Sequence, residues 1–187
     1  MMGRDDGRGI LFSMLLGVAS LLAGCAAPQP RPEPVVDARI KNFSRSGKVY
    51  VSGAVQPGAL SDLKARGVRT IIDFRLPEQV PADYPGQVRA AGLDYVHIPM
   101  RSDQLSEAQA DAFVAEISKR RGQSMLLQCG SANRSGAMFG VFSAMQGGTT
   151  VEAALENARA AGMKDAALTS DVREYLERHA PKATQPE

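Results

Sequence analysis

The sequence has few of the residues that bind metal ions. Its 187 residues include two cysteines, Cys25 and Cys129, and two histidines, His97 and His179. No group of His, Cys, Asp and Glu has the spacing of a metal site. The sequence therefore predicts no metal ion, and it predicts that His97 packs in an apolar strand while His179 faces solvent.

The features of nucleotide and nucleic-acid binding are missing as well. No glycine-rich loop ends in lysine, as nucleotide binding would require. The formal net charge is +2 and aromatic residues make up 5% of the chain. No cluster of Lys and Arg with interleaved aromatic residues is present along the sequence. We therefore predict no cofactor and no nucleic-acid partner.

The N-terminal segment has the pattern of an export signal. Arg4 and Arg8 precede an apolar run over residues 10–22 that is too short to span a bilayer comfortably. Residues 21–25, Leu-Leu-Ala-Gly-Cys, resemble the end of a bacterial lipoprotein signal, which implies cleavage before Cys25 and its acylation. Such acylation would give a stable membrane anchor. An uncleaved signal anchor is the alternative.

We divide the chain into four parts. Residues 1–24 are the signal peptide, and residues 25–39 form a tether that is rich in proline and therefore extended. Residues 40–181 form the domain, and residues 182–187 form a tail. Because the residue after Cys25 is Ala and not Asp, we expect the outer membrane rather than the inner one, on the periplasmic face.

The segment from residue 124 to 146 contains the candidate site. A short apolar run ends at Cys129, small residues follow, and a helical pattern begins after Arg134. Small residues allow successive backbone N–H groups to surround one anion, and the helix N-terminus adds partial positive charge. The same field favours a thiolate at Cys129. A buried structural cysteine is the alternative.

These residues resemble a known family. Cys129–Gly136 and three upstream motifs are similar to the bacterial cysteine-dependent tyrosine and dual-specificity phosphatases, in particular to the subgroup of beta-lactamase-hydrolase-like proteins. The upstream motifs are Tyr50-Val-Ser-Gly, residues 67–75 (Gly-Val-Arg-Thr-Ile-Ile-Asp-Phe-Arg), and Tyr95-Val-His-Ile-Pro. Gln128 stands where the wider superfamily has His. Four residues separate Cys129 and Arg134, as in the subgroup, whereas most of the superfamily has five.

The resemblance covers about residues 44–165 and implies roles for the site residues. Cys129 would be the nucleophile, Arg134 would bind two oxygens of the phosphoryl group, and Ser135 would steady the thiolate. An N-cap role for Ser135 is the alternative. The phosphate would be bound by the backbone of Gly130, Ser131, Ala132, Asn133 and Arg134.

The general acid has two candidates. The resemblance places it at Asp103, in the loop after Pro99, although a loop Asp that caps the next helix is equally ordinary. Asp73, at the end of a strand, is the substitute, and we favour a structural role for it. The loop interior, Gly-Ser-Ala-Asn, has no Lys or Arg, which argues against inositol phosphates as substrates.

The predicted fold is α/β. Strands and helices alternate, which favours one domain with a central, mainly parallel sheet flanked by helices and the Cys-Arg loop at a strand's carboxyl end. Ser106 and Gln109 form a capping box. The strands are expected at 48–55, 68–74, 93–98 and 124–128, and the helices at 58–66, 87–91, 107–120, 135–146, 149–161 and from 170 onward.

Three functions fit these patterns. The first is a lipid-anchored cysteine phosphatase that acts on phosphotyrosine or phosphoserine in proteins, or on small phosphate esters, through a phosphocysteine intermediate. The second is a rhodanese-like sulfurtransferase with a persulfide on Cys129, because the short loop also occurs there. The third is an inactive envelope module that binds an oxyanion or a phosphoprotein.

Overall fold

The computed structural model describes residues 30–146 and 149–181. These residues form six strands, six α-helices and two short 3₁₀ turns, at Pro57–Ala59 and Pro77–Gln79. The strands are β1 (Glu33–Pro34), β2 (Ser44–Ser46), β3 (Val49–Ser52), β4 (Thr70–Asp73), β5 (Asp94–His97) and β6 (Met125–Gln128). The helices are α1 (Leu60–Ala65), α2 (Tyr84–Ala90), α3 (Glu107–Lys119), α4 (Asn133–Met145), α5 (Val151–Ala160) and α6 (Ala166–His179).

All six strands belong to one sheet, in the order β1-β2-β3-β6-β4-β5. β3, β6, β4 and β5 are parallel, and β1 and β2 pair antiparallel at one edge. In the parallel part, Gln128 lies between Ser52 and Asp73, and His97 follows on the far side of Asp73. The predicted α/β fold with a mainly parallel sheet is confirmed.

Helices cover both faces of the sheet. Leu127 belongs to the core formed with α3, α4, α5 and α6, and its neighbour Leu126 belongs to the core formed with α1 and α2. Successive side chains of a strand point to opposite faces. Every residue of β6 is buried, as expected for the central strand of a sheet covered on both sides.

α4 is the central helix of the first core, since its residues 134–144 are all buried. Two glycines allow α5 and the chain after it to approach α4 closely. A Cβ added to Gly136 would lie 2.6 Å from Met163 N, and one added to Gly140 would lie 2.8 Å from Ala158 Cβ. Such distances leave no room for a side chain, so these glycines set the spacing of the two helices.

The predicted helix boundaries are right in some places and wrong in others. The Ser106–Gln109 capping box is present at the start of α3. α2 begins at Tyr84 and not at residue 87, because a proline at position 85 is tolerated in the first turn. α6 begins at Ala166 and not at residue 170, because Asp165 accepts from Leu168 N and caps the helix.

The end of the predicted tether lies on the sheet. Glu33 and Pro34 pair with β2 as its edge strand, and Val35 N donates to Phe43 O at 2.8 Å. The signal peptide, Cys25, the start of the tether and the tail at 182–187 lie outside the described residues. Within the described part of the chain, no helix is long and apolar enough to cross a membrane.

Candidate active site

The candidate site lies at the carboxyl edge of the parallel sheet. Cys129 directly follows β6, and α4 begins four residues later at Asn133. The carboxyl ends of β3, β4 and β5 meet at the same edge, so loops that are distant in sequence surround Cys129. The short chain between strand and helix, together with the first two residues of α4, forms the Cys loop, which we define as residues 129–134.

The thiol of Cys129 is buried and is held in a polar environment. Burial alone would raise the pKa of this thiol, but three hydrogen bonds and one charge outweigh it, so the pKa of Cys129 is lowered. The hydrogen-bond partners of Sγ are the Ser135 hydroxyl, at 3.5 Å, and the N–H groups of Ser135 and Ser131; the charge is that of Arg134. A lowered thiol pKa favours the nucleophilic thiolate.

The Arg134 guanidinium is buried and is held by three acceptors from other parts of the chain. Its Nη1 donates to Phe74 O at 3.1 Å, to Gln79 Oε1 at 2.9 Å and to Met100 O at 3.0 Å. Nη2 lies over the Cys loop, because a Cβ on Gly130 would be 3.5 Å from it. Nη2 and Nε have no acceptor among the described residues, which leaves these donors available for an anion.

Neighbouring backbone fixes the shape of the Cys loop. Ala54 N donates to Gly130 O at 3.3 Å, and Asn42 Nδ2 donates to Ser131 O at 2.9 Å. Ala132 has a left-handed backbone, with φ of 73°, which is uncommon for a residue with a Cβ. On its other side the loop meets Gly162, where an added Cβ would lie 2.8 Å from the Ala132 Cβ. The loop is therefore confined from two directions.

The side chain of Asn133 connects the Cys loop to two other segments. Nδ2 donates to Ser102 O at 2.7 Å, and Oδ1 accepts from Lys164 N at 2.7 Å and from Asp165 N at 3.1 Å. These bonds hold the side chain of Asn133 against Ser102 and residues 164–165, while its backbone N–H faces no such partner in the described part of the molecule. That group lies in the first turn of α4, where N–H groups have no partner inside the helix.

The Ser135 hydroxyl lies between two acceptors. It donates to Ser52 O at 2.7 Å, and Cys129 Sγ lies 3.5 Å away. A hydroxyl has one proton to donate. A thiolate at Cys129 therefore competes with Ser52 O for that proton. The N-cap position of α4 is Ala132, so the alternative role of Ser135 as the N-cap of this helix is wrong.

Asp103 lies in the loop between β5 and α3, beside the Cys loop. The loop is attached through Met100 O, which accepts from Arg134, and through Ser102 O, which accepts from Asn133. The carboxylate of Asp103 is exposed and accepts from Arg101 Nε and Nη2, each at 3.1 Å. This hydrogen bonding lowers the pKa of Asp103. Its helix-capping alternative is wrong, because Ser106 caps α3.

Asp73 is engaged in a buried ion pair. Its Oδ2 lies 2.6 Å from Arg75 Nη2 and accepts from Tyr95 OH at 3.0 Å. The Arg75 guanidinium stacks 4.6 Å from the centre of the Tyr84 ring. The Asp73 carboxylate is fully buried and is bound by both Arg75 and Tyr95, so the structure supports the structural role that we favoured for Asp73.

Gln128 belongs to the same network, on the face of the sheet opposite Cys129. Its Oε1 accepts from Tyr84 OH at 2.6 Å, and its Nε2 lies 3.4 Å from Asp73 Oδ2. Burial raises the pKa of Tyr84 to about 12, although the hydrogen bond with Gln128 opposes the shift. The tyrosine therefore remains a neutral donor. Gln128 thus links the central strand to α2 without reaching the thiol.

The structure corrects the prediction for His97 and adds Gln79 to the site. His97 is exposed rather than packed, and its Nε2 lies 2.8 Å from Arg75 O. Gln79, which holds Arg134, was not identified from the sequence. It lies in a segment rich in proline that the sequence marks as a loop, 55 residues before Arg134. No local pattern connects the two residues.

The chain belongs to the family of beta-lactamase hydrolase-like proteins, phosphatase-like domain. The sequence profile of this family matches residues 42–146, which is more than half of the chain. That range contains the Cys loop, Ser135, Asp103 and Gln79. The family predicted from the sequence motifs is therefore confirmed. No match to a curated protein sequence was found.

Solved structures share the fold at low sequence identity. A DUF442 protein from Shewanella putrefaciens CN-32 is 20% identical over 76% of this chain and 95% of its own, with a TM-score of 0.66. TpbA from P. aeruginosa is 21% identical over 80% of this chain and 91% of its own, with a TM-score of 0.62. A cysteine-to-serine variant of TpbA in complex with pTyr is 19% identical over 78% and 88%, with a TM-score of 0.61.

Proposed function

We propose that the protein is a membrane-anchored cysteine phosphatase that hydrolyses phosphate monoesters through a phosphocysteine intermediate. One observation carries the proposal: a thiol with a lowered pKa shares a six-residue loop with a buried guanidinium whose Nη2 and Nε have no acceptor among the described residues. Nucleophile and oxyanion donor then meet at one point, which is the arrangement that acyl or phosphoryl transfer to a thiolate requires.

The reaction takes two displacements. Cys129 Sγ attacks phosphorus, an S–P bond forms as the P–O bond to the leaving group breaks, and the leaving oxygen takes a proton from Asp103. Arg134 and the loop N–H groups bind the three equatorial oxygens, where charge spreads in the transition state. Water then attacks phosphorus and gives a proton to the Asp103 carboxylate. Inorganic phosphate and the thiolate are released, and Ser135 donates to the thiolate.

The state of Asp103 favours aryl phosphates as substrates. Arg101 lowers the pKa of Asp103 and so disfavours the protonated form that a general acid needs. An aryl oxygen is a better leaving group than an alkyl oxygen and needs less protonation. Phosphotyrosine should therefore be a better substrate than phosphoserine, and the pTyr complex of the TpbA variant supports aryl phosphates as the substrate class.

The anchor is proposed at Cys25. The apolar run at 10–22 and the Leu-Leu-Ala-Gly-Cys sequence support acylation, and Pro30 marks the start of the described domain five residues later. We place the domain on the periplasmic face of the cell envelope, at the outer membrane. The phosphorylated substrate is then a protein or a small ester that reaches that compartment.

A pair of identical substitutions tests both parts of the proposal. Cys129→Ser should abolish phosphate release from an aryl phosphate while the protein remains acylated and in the membrane fraction. Cys25→Ser should keep the phosphatase activity while the acyl mass is lost from the protein. Acid quenching during turnover should trap phosphate on the wild-type chain and none on Cys129→Ser.

Different failures lead to different conclusions. Phosphate release that survives Cys129→Ser would refute the thiolate mechanism. Thiocyanate formation from thiosulfate and cyanide, without phosphate release, would assign the chain to the sulfurtransferases. An unmodified Cys25 in the purified chain would refute the anchor alone and leave the enzymatic proposal unaffected.

An inactive phosphate-binding module is the second candidate, and one observation favours it. The acid candidate Asp103 is exposed and is bound by Arg101, which lowers its pKa and favours the ionised form that has no proton to donate. Binding of inorganic phosphate that requires Arg134, without hydrolysis of aryl phosphates, would identify this function.

A further inference from the structure

The edge of the sheet opposite Cys129 presents a cluster of cations. Lys48 precedes β3, Arg69 precedes β4, and Arg121 lies between α3 and β6. The amino ends of parallel strands lie together at one edge of the sheet. The length of the strands separates this edge from the carboxyl edge, where Cys129 lies. Together with three neighbouring arginines, these side chains form what we call the basic surface. Its members are Arg31, Arg45, Lys48, Arg66, Arg69 and Arg121, and all six are exposed.

Hydrogen bonds to backbone carbonyls make the basic surface continuous. Lys48 Nζ donates to Gly122 O at 2.9 Å, and Ser124 Oγ donates to Lys48 O at 2.9 Å. Arg69 N donates to Ser124 O, also at 2.9 Å. The segments that carry Lys48, Arg69 and Arg121 are thus held together. Neighbouring grooves along this edge share Lys48, Arg45 and Arg66 in their walls.

These cations are not neutralised by the protein. In the described ranges, none of the six lies within 4.0 Å of a carboxylate, whereas Arg39, Arg173 and Arg178 each form salt bridges elsewhere on the surface. Glu33 is the acidic residue that lines the same grooves. The Asp37 carboxylate is bound mainly by Arg39, and the charge of Arg66 makes a smaller contribution to lowering its pKa. The surface therefore retains a net positive charge.

The chain enters the domain at this surface. Pro30 lines the same groove as Arg31, Arg45 and Arg66, and its carbonyl accepts a hydrogen bond from Ser46 Oγ. Five residues, 26–30, follow Cys25 up to and including Pro30. At about 3.5 Å per residue, they span at most about 17 Å when fully extended. A lipid on Cys25 would keep the basic surface close to the bilayer.

We propose that the basic surface docks on the headgroups of anionic phospholipids. The inference rests on the proposed anchoring at Cys25. The potential of a charged bilayer decays over a Debye length of about 8 Å at physiological salt, so cations act on it only when they are held nearby. The short link to the anchor meets that condition. Docking turns the opposite edge, with Cys129 and Arg134, away from the membrane and toward substrates in the aqueous compartment.

A nucleic acid is the less suitable partner for the basic surface. Binding of single strands uses exposed aromatic rings on which bases stack. Tyr50 and Phe142, which line the grooves of this surface, are both buried, and Tyr50 is covered by the Arg45 guanidinium, 5.3 Å from the ring centre. Nucleic-acid binding would not require Pro30 to lie at the basic surface. A lipid anchor at Cys25 does require it, because the anchor then holds this surface near the bilayer.

Hydrogen exchange of the full chain in vesicles tests the proposal. The protein is reconstituted in phosphatidylcholine alone and in phosphatidylcholine with about 30% phosphatidylglycerol. We expect exchange in residues 44–49, 66–69 and 120–124 to slow by about threefold or more in the anionic vesicles. The protection should disappear at about 1 M salt, where the Debye length is about 3 Å.

Two double variants give a matched comparison. Arg66→Glu with Arg69→Glu should remove the protection. Lys41→Glu with Arg159→Glu changes the net charge equally at exposed cations outside the basic surface and should leave the protection intact. Equal exchange in the two kinds of vesicle, or protection that survives reversal of Arg66 and Arg69, would overturn the proposal.

Two further readouts separate the lipid anchor, the headgroup contact and nucleic-acid binding. Intact mass reports acylation of Cys25 independently, so a missing anchor is distinguished from a missing contact with the headgroups. Protection of the same segments by duplex DNA, but not by phosphatidylglycerol, would overturn the proposal in favour of a nucleic-acid surface.

Discussion

Two loops at the same edge of the sheet are built very differently. In the Cys loop Cys129, Ala132 and Arg134 are buried, and the loop is bounded by Ala54 on one side and Gly162 on the other and leads directly into α4. The acid loop, which we define as residues 99–105, joins β5 to α3, and its central residues 101–104 are exposed. Hydrogen bonds from Arg134 and Asn133 attach it to the Cys loop.

The difference fits the separate tasks that we propose for the two loops. Donors that stabilise a transition state are effective when they need no reorganisation, which requires a rigid, buried frame. A general acid must exchange its proton with solvent in every cycle, which requires exposure. Four substitutions test this contrast between the Cys loop and the acid loop, in order of decreasing expected effect.

Arg134→Lys should have the largest effect. One ammonium cannot replace a guanidinium whose Nη1 donates to Phe74 O, Gln79 Oε1 and Met100 O while its Nη2 lies over the Cys loop. We expect kcat for aryl phosphate hydrolysis to fall about 100-fold or more. Arg159→Lys, on the exposed face of α5, is the matched control and should change kcat little. An Arg134→Lys protein with near-normal kcat would show that the bidentate geometry is not needed.

Gly162→Ala should deform the Cys loop from outside. Gly162 has φ of 115°, and the new methyl would lie 2.8 Å from Ala132 Cβ and 3.1 Å from Ala132 O. Left-handed strain and overpacking together should cost about 2–4 kcal/mol of unfolding free energy, measured by denaturant titration. Phosphatase activity should fall together with stability, because the new methyl group would push Ala132 and the Cys loop out of their positions.

Gly122→Ala is the control for backbone strain. Gly122 has φ of 79°, but nothing lies within 4 Å of its added Cβ. This variant should lose about 1–2 kcal/mol and keep its activity. Equal losses of stability and activity in the two variants would contradict the idea that contact with Ala132 shapes the Cys loop.

Arg101→Ala should change the pH dependence through the acid loop. The Arg101 hydrogen bond holds the pKa of Asp103 below its usual value, so removing Arg101 raises that pKa. A general acid acts when protonated, so the falling limb of kcat/KM should move to higher pH. The rising limb follows formation of the Cys129 thiolate and should stay in place. A falling limb that does not move in Arg101→Ala would exclude Asp103 as the acid.

Gln79→Ala should have the smallest effect. It removes one of three acceptors of Arg134 Nη1, and the two backbone carbonyls remain. A typical hydrogen bond contributes about 0.5–1.5 kcal/mol, and because the two carbonyls keep Arg134 in place we expect a fall in kcat/KM of roughly twofold to tenfold. Glu78→Ala, at the exposed neighbouring residue, should be neutral. An unchanged Gln79→Ala enzyme would show that the carbonyls alone hold Arg134.

The sequence predicted the structural features that depend on consecutive residues. Strand β6, Cys129, the small-residue loop and α4 are consecutive, so their patterns are sufficient to predict them. The Ser106–Gln109 capping box is equally local. The error at α6 has a local cause, because Asp165 is as good an N-cap as Ser170 and lies five residues earlier.

The sequence by itself determined the strand-loop-helix segment, the family and the Cys129–Arg134 spacing, because each depends on residues that are neighbours along the chain. Only the tertiary structure decided which groups hold Arg134, since Phe74, Gln79 and Met100 lie 60, 55 and 34 residues away from it. It also assembled the basic surface from cations too dispersed to form a cluster in the sequence. Parallel strands bring together residues at their ends whatever their separation along the chain, and that proximity has no local pattern to reveal it.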